Sequence, residues 1–190
     1  MFKRLAITNR HLVKGSLREQ VERIFQAPVR PQALVLREKD LAGAEYFQLA
    51  QELLPLCQAF GVPLVIHNFW QVALALHCPL QVPLTVLRSK YLQEEREYFT
   101  VLGTSVHSLA EAQEAEGLGA TYLVAGHIFP TSCKPGLPPR GLAFLGEVCS
   151  QTQLPVYAIG GLKLHSQEQL AQVKGCGAQG ACIMSDYMQY

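Results

Sequence analysis

Short apolar runs rich in Val, Ile and Leu alternate along the whole chain with longer amphipathic segments. Eight predicted strands cover residues 5–8, 33–37, 63–67, 80–83, 101–105, 122–125, 156–159 and 181–184. Seven predicted helices lie between them, at residues 17–25, 44–60, 70–77, 91–99, 109–118, 142–150 and 167–173. Alternation of this kind is typical of βα units around a parallel sheet.

The number of strands favours a closed sheet. We predict a small (β/α)₈ TIM barrel that forms a single domain over residues 1–190. A doubly wound, flavodoxin-like sheet is the alternative. The fourth strand is the weakest prediction, because Pro79 and Pro83 bracket it and proline donates no ladder hydrogen bond. Only residues 185–190 follow the eighth strand, so the last helix is expected to be missing or truncated.

Composition and charge indicate which kinds of partner and which cellular compartment to expect for this chain. The formal net charge is +1 and only 16% of the residues are charged, which predicts neither a nucleic-acid partner nor a membrane-surface partner. No apolar run approaches the roughly 20 residues of a membrane helix, and no signal-like core opens the chain, so we expect a cytoplasmic protein. The six cysteines contain no C-x-x-C pair, which favours reduced thiols over disulfides or zinc ligands.

The loop after the sixth strand is the most informative one, since function in an α/β barrel resides in the loops that follow the strands. It is long and polar, and loops of this length are uncommon unless functional. A surface loop stiffened by its prolines is the alternative. We predict His127 as a catalytic residue and, as substrate contacts, Thr131, Ser132, Cys133 and Lys134.

Two further loops predict a phosphorylated ligand. Gly160 and Gly161 follow the seventh strand, and Met184 and Ser185 follow the eighth. In many barrels these two loops hold a phosphate group through backbone N–H groups. A glycine pair can also serve only a turn, so the prediction depends on which strand it follows.

Charged residues end the second strand. Arg37 and Lys39 could hold an anionic substrate while Glu38 between them serves as a base. A solvated charge cluster is the alternative. Because side chains alternate along a strand, Glu38 faces the same way as the two cations only if the strand has already ended. His67, after the third strand, adds a polar substrate-binding candidate.

Several motifs together resemble one family. They are Leu102-Gly-Thr-Ser-Val-His-Ser, Gly126-His-Ile-Phe-Pro-Thr-Ser-Cys-Lys-Pro-Gly, Arg140-Gly-Leu and Val156-Tyr-Ala-Ile-Gly-Gly. In order and spacing they are similar to the thiamine phosphate synthase/TenI superfamily. The resemblance implies one of two activities. The synthases join a pyrimidine diphosphate to a thiazole phosphate with Mg²⁺, whereas the TenI-type tautomerases aromatise a thiazole carboxylate phosphate without a metal.

Two differences from the synthase pattern favour the tautomerase. The acidic residues that hold Mg²⁺ after strands three and four correspond here to His67-Asn-Phe-Trp-Gln and Leu80-Gln-Val-Pro-Leu-Thr, and amides are poor substitutes for anionic oxygen ligands. Synthases have Gly-Pro where this chain has Gly126-His127, and tautomerases carry His there. The resemblance therefore implies a thiazole tautomerase with no metal or other cofactor. His127 and Glu38 would exchange the proton, and Arg37 would pair with the substrate carboxylate.

Two other functions remain open. A thiamine phosphate synthase that uses Mg²⁺ is supported by Phe129-Pro-Thr and by Lys39 and Lys134, which match positions that synthases use for the diphosphate. A non-catalytic barrel that binds thiazole phosphate would account for the short C-terminus and for the differences at strands three and four.

The short C-terminus also predicts a homodimer. Without an eighth helix, the seam between the last and first strands would expose an apolar patch. Tyr187, Met188 and Tyr190 suit a contact with a second copy of the chain. Folding of the tail and the first helix over the seam, within one chain, is the alternative.

Overall fold

Eight parallel strands form a closed barrel in the computed structural model, which describes residues 2–190. The strands are β1 Lys3–Ile7, β2 Ala33–Leu36, β3 Leu64–His67, β4 Leu80–Pro83, β5 Leu102–Val106, β6 Tyr122–Gly126, β7 Val156–Ile159 and β8 Gly180–Ile183. β1 pairs in parallel with both β2 and β8, which closes the sheet. The TIM barrel is confirmed, and the doubly wound alternative is excluded.

Helices connect the strands around the outside of the barrel. They are α1 Leu17–Gln26, α2 Gly43–Phe60, α3 Trp70–Ala75, α4 Leu84–Leu87, α5 Lys90–Glu95, α6 Leu109–Gly117, α7 Gly141–Gln151, α8 Gln167–Gly175 and α9 Ser185–Met188. Short 3₁₀ turns cover Arg10–Leu12 and Arg96–Tyr98. The helix predicted over residues 91–99 is present as α5 and the 3₁₀ turn that follows it, whereas α4 was not predicted. The Ser89 side chain caps α5 by accepting the Leu92 N–H, so a new helix starts after α4.

β4 forms despite its two flanking prolines. Leu80 donates its N–H to the carbonyl of Val101 over 3.0 Å, so the ladder begins immediately after Pro79. Pro83 is the last residue of the strand, where it pairs in register with Ser105. Both prolines thus lie where the ladder needs no donor from them, which is the position at which a sheet tolerates proline.

Alternation along the strands divides the apolar core in two. One set of side chains fills the barrel interior: Leu5, Ile7, Val35, Val65, Tyr122, Val124, Tyr157 and Cys182. The neighbouring strand residues, such as Ala6 and Leu34, face outward and pack against the helices. All six cysteines are free thiols, as the sequence predicted. No helix within residues 2–190 is long and apolar enough to cross a membrane.

The C-terminal tail covers the barrel seam within the chain. Tyr187 and Met188 of the truncated helix α9 are fully buried. Tyr187 donates its hydroxyl to the Val29 carbonyl over 3.1 Å, and Gln20 of α1 donates to the Tyr187 carbonyl over 2.6 Å. The intrachain alternative is therefore confirmed, and the proposed use of Tyr187 and Met188 as a dimer contact is wrong. A homodimer stays a prediction without that support.

Candidate functional site

The carboxyl ends of the strands converge at one end of the barrel, the mouth, where the predicted site residues lie. At the end of β1, Thr8 is fully buried and its Oγ1 accepts the backbone N–H of Arg37 over 2.8 Å. This bond fixes the point at which the charged segment after β2 begins. Because β2 ends at Leu36, the strand has ended before Glu38.

The first loop holds the acidic side chains of the second. The Arg10 backbone N–H donates to both oxygens of Glu38 over 3.1 Å, and its guanidinium donates to Glu38 Oε2 over 3.2 Å. The same guanidinium binds Asp40 through two bonds, of 2.7 and 2.6 Å. His11 lies 2.9 Å from Asp40 Oδ2. Hydrogen bonds from Arg10 and His11 hold the pKa of Asp40 well below its usual range.

Three cations of the predicted site are neighbours at the mouth. The pKa of Lys39 is lowered first by the charge of Arg37, then by partial burial and by the charge of Lys134. Burial lowers the pKa of Arg37, while the nearby Cys133 and Glu38 act to raise it. Lys39 thus lies near both Arg37 and Lys134, where the segment after β2 meets the loop after β6. We call Arg37, Lys39 and Lys134 the cation cluster.

A cavity of about 240 Å³ opens beside Lys39. Its lining combines the ends of β2, β3 and β4: Glu38, Lys39, His67, Asn68, Phe69 and Pro83. Burial, followed by the charges of Arg37 and Lys39, lowers the pKa of His67 to about 4. His67 is therefore neutral at physiological pH and can accept a hydrogen bond from a ligand.

Tyr46 of α2 supports the floor of this cavity. Its hydroxyl donates to the Leu36 carbonyl and accepts the His67 backbone N–H over 2.9 Å. Its ring stacks on Phe69 with the centroids 4.1 Å apart. One buried side chain thus fixes the ends of both β2 and β3.

His127 ties the long loop after β6 to the barrel. It is 6% exposed, and its Nε2 donates to the Leu137 carbonyl over 3.3 Å. Arg140 donates its backbone N–H to the His127 carbonyl over 2.9 Å. Within the loop, Thr131 Oγ1 accepts the Cys133 N–H, and Ser132 and Cys133 are exposed. The side chain of His127 therefore makes a structural contact within the loop, through the Leu137 carbonyl.

The glycine pair after β7 is required by packing. Gly160 and Gly161 have φ values of 103° and 68°, a region that favours glycine. A Cβ on Gly161 would lie 2.8 Å from Phe129 Cβ, and one on Gly160 would clash with His127. Met184 and Ser185 are half-buried and follow β8, the strand that pairs with β7. Phosphate binding by these four residues stays a prediction.

The donors at β3 and β4 do not fit Mg²⁺. The residues there are His67, Asn68 and Gln81, which carry no carboxylate, and Gln81 accepts a hydrogen bond from the hydroxyl of Tyr122. Glu38 lines the cavity, but both of its oxygens accept hydrogen bonds from Arg10. Across the described residues, no group of three or more His, Cys, Asp or Glu side chains could hold a metal. A hard divalent cation needs several anionic oxygens.

A larger cavity, of about 340 Å³, lies at the opposite end of the barrel, beside the starts of β4 and β5. Residues of the segments 73–79 and 98–101 line it, among them His77 and Cys78, and none of the predicted site residues does. The mouth is therefore the better candidate site.

Sequence reasoning missed Arg10 and Tyr46. Arg10 lies just after the first strand, so the rule that barrel function follows the strand ends could have found it. Its partner Glu38 is 28 residues away, and no local pattern signals that pairing. Tyr46 lies on a helix, and its sequence pattern is that of an ordinary core residue.

A closed (β/α)₈ barrel with basic side chains at its mouth places the protein in the TIM-barrel class, whose active sites lie at the carboxyl ends of the strands. A family model described as thiamine monophosphate synthase matches residues 5–187. The chain therefore belongs to the thiamine monophosphate synthase (TMP-TENI) family, a family of thiamine biosynthesis, as the motifs indicated.

Curated relatives cover most of the chain. It is 35% identical to the thiamine-phosphate synthase of Syntrophomonas wolfei, over 96% of this chain and 86% of the relative. It is 33% identical to the putative thiamine-phosphate synthase 2 of Aquifex aeolicus, over 97% and 96%. Among solved structures, the thiamine phosphate pyrophosphorylase of Pyrococcus furiosus superimposes with a TM-score of 0.82 at 26% identity, over 100% of this chain and 88% of that one.

These relatives correct the functional prediction. Those at 33–37% identity are named thiamine-phosphate synthase, so the prediction of a thiazole tautomerase is wrong and the synthase alternative fits better. The prediction gave too much weight to local differences, namely His127 and the missing carboxylates at β3 and β4. The proton-transfer roles of His127 and Glu38 and the pairing of Arg37 with a substrate carboxylate were tied to that reaction and are withdrawn with it.

Proposed function

We propose that the protein is a transferase that joins a pyrimidine diphosphate to a thiazole phosphate and releases pyrophosphate. Support comes from the family match over residues 5–187 and from relatives that are named for this synthase activity. In the reaction, a bond forms between the two ring systems while the bond to the diphosphate oxygen breaks. The pyrophosphate leaves with the electron pair and with added negative charge.

The cation cluster is the observation that carries this proposal. Arg37 and Lys134 both lie close enough to Lys39 for their charges to lower its pKa. Positive groups fixed in a partly buried site stabilise negative charge that develops on a leaving group. A guanidinium also matches the geometry of phosphate oxygens through two parallel bonds. The proposal therefore places the diphosphate at the ends of β2 and β3, under the loop after β6.

The thiazole phosphate then binds on the other side of the mouth. In this proposal Gly160 and Gly161 after β7 and Met184 and Ser185 after β8 hold it, because these strands are neighbours and this pair of loops holds phosphate in many barrels. Two substrates bound side by side would be held in position to react, which replaces a bimolecular encounter by an intramolecular step.

No divalent ion held by protein carboxylates enters this proposal. The synthase resemblance implies Mg²⁺, but the side chains at β3 and β4 do not supply the oxygen ligands that it needs. The chain's own cations instead balance the charge of the diphosphate, and neutral His67 leaves that balance unchanged.

Turnover of the two precursors tests the proposal. The purified protein is incubated with pyrimidine diphosphate and thiazole phosphate, once with Mg²⁺ and once with EDTA, and coupled product and pyrophosphate are quantified. We expect equal amounts of both, and none when either precursor is omitted. No coupled product under either condition would contradict the proposal. Binding of thiazole phosphate without turnover would instead select the ligand-binding barrel.

A further inference from the structure

The four consecutive charged residues after β2 have different partners. Glu38 and Asp40 bind Arg10, on the side of the first loop. Lys39 instead lies near Lys134 of the loop after β6. Arg37 lies near Cys133 of that loop and also near Glu38, so Glu38 is within reach of a cation other than Arg10.

We propose that Arg10 is a positioning residue, which neutralises and holds the Glu38 carboxylate so that Arg37 and Lys39 remain available to an anionic, phosphorylated ligand. The inference rests on the proposed function, because it requires an anion at the mouth. Arg10 itself need not touch that ligand.

Burial makes the position of Glu38 important. Glu38 is 2% exposed and lines the same cavity as Lys39. Where water is largely excluded, opposite charges attract strongly. Without the Arg10 guanidinium, Glu38 would be neutralised by Arg37 or Lys39, and the anion would have to compete with it.

Asp40 anchors Arg10 from the solvent side. Its carboxylate receives two bonds from the guanidinium, and its side chain is 51% exposed. Solvent screens a charge in that position. Asp40 therefore orients Arg10, whereas Glu38 is the carboxylate that could compete with the ligand.

Substitution of the Arg10 side chain separates these roles. Arg10→Met removes the guanidinium but keeps the two backbone bonds to Glu38, so the fold is expected to survive. If this variant does not fold, Arg10→Gln keeps a hydrogen-bond donor without the charge and gives the same test. Arg10→Lys retains the charge and should rescue part of the affinity.

The experiment measures the dissociation constant of inorganic pyrophosphate by calorimetry, in EDTA. We expect Arg10→Met to weaken binding about tenfold, or ~1.4 kcal/mol. Adding Glu38→Gln should restore affinity to within about twofold, because a neutral amide does not compete. Adding Asp40→Asn gives the same net charge and should restore much less.

Unchanged affinity in Arg10→Met, or equal rescue by Glu38→Gln and Asp40→Asn, would overturn the inference. Turnover of the two precursors is measured on the same proteins. The expected binding pattern without any wild-type turnover would contradict the proposed function and leave the role of Arg10 standing. Turnover without that binding pattern would support the proposed function and contradict the role of Arg10.

Discussion

The Arg10 guanidinium and the Asp40 carboxylate form a two-bond ion pair, with Nη1–Oδ1 at 2.7 Å and Nη2–Oδ2 at 2.6 Å. This pair joins the first and second loops of the barrel mouth. Together with the bonds from Arg10 to Glu38, it holds both acidic side chains of the second loop on Arg10. A positive site is thereby built in a chain whose formal net charge is only +1.

Replacement of a cation in the cluster should weaken anion binding. Lys39→Met is expected to lower pyrophosphate affinity about tenfold, since it removes one of three neighbouring positive charges. Calorimetry measures the change. Lys174→Met, on the exposed end of α8, is the matched control and should bind as the wild type does. Equal affinities for the two variants would place the anion elsewhere.

Stability should depend on pH through His67. Its pKa in the folded protein is about 4, below the ordinary 6.5, mainly because it is buried. Between these values the unfolded chain binds a proton that folded His67 does not. The contribution of His67 to the free energy of unfolding is therefore fully present above pH 6.5. It is lost as the pH falls towards 4, by at most about 1.4 kcal/mol per pH unit.

The variant His67→Gln isolates this contribution. Its free energy of unfolding, measured in urea at several pH values, should fall less steeply with acid than that of the wild type, by about one proton. His165→Gln, at an exposed position, should retain the wild-type slope. If both variants have the same slope as the wild type, His67 is not held neutral.

Because the tail covers the seam, substitutions of its two tyrosines should change the stability of the protein by different amounts. Tyr187→Ala should destabilise the protein by about 3–5 kcal/mol, because it empties a fully buried site. Tyr187→Phe should cost about 1 kcal/mol, for the hydrogen bond to the Val29 carbonyl. Tyr190→Ala, at a side chain 42% exposed, should change stability by less than about 0.5 kcal/mol. Similar values for Tyr187→Ala and Tyr190→Ala in urea unfolding would show that the tail does not cover the seam.

His127 should order the loop after β6. His127→Ala removes the bond from Nε2 to the Leu137 carbonyl, so amide hydrogen exchange in residues 130–140 is expected to become several-fold faster. Exchange in the barrel strands should remain unchanged. Mass spectrometry of peptides from both regions measures this, with His165→Ala as the control. Unaltered exchange in the loop would remove the structural role given to His127.

The barrel itself is predictable because each strand is a local apolar run. β4 shows this best, since three residues between two prolines suffice for it to pair with β5. The division of the segment after β4 into α4 and α5 was less predictable, because the start of α5 depends on a single capping serine, Ser89. Tertiary contacts were not predictable from local patterns. The hydrogen bond between Gln20 and Tyr187 joins residues 167 positions apart.

For the candidate site, the sequence predicted the residues better than their relationships. Arg37, Lys39 and Lys134 were placed at the mouth, where the structure has them as neighbours. The sorting of Glu38 and Asp40 onto Arg10 depends on backbone geometry after the strand ends, which a pattern of charges does not contain. The activity was mispredicted from a few local differences, although similarity extends over nearly the whole chain.

Pyrophosphate release is the most direct measure of the proposed transferase activity. Initial rates are measured with both precursors at saturating concentration, for the wild type, for the double variant Arg37→Met with Lys39→Met, and for Lys174→Met. We expect release that requires both precursors, a loss of about 10²-fold or more in the double variant, and an unchanged rate in Lys174→Met. Release that is absent in the wild type, or equally fast in the double variant, would contradict the proposal.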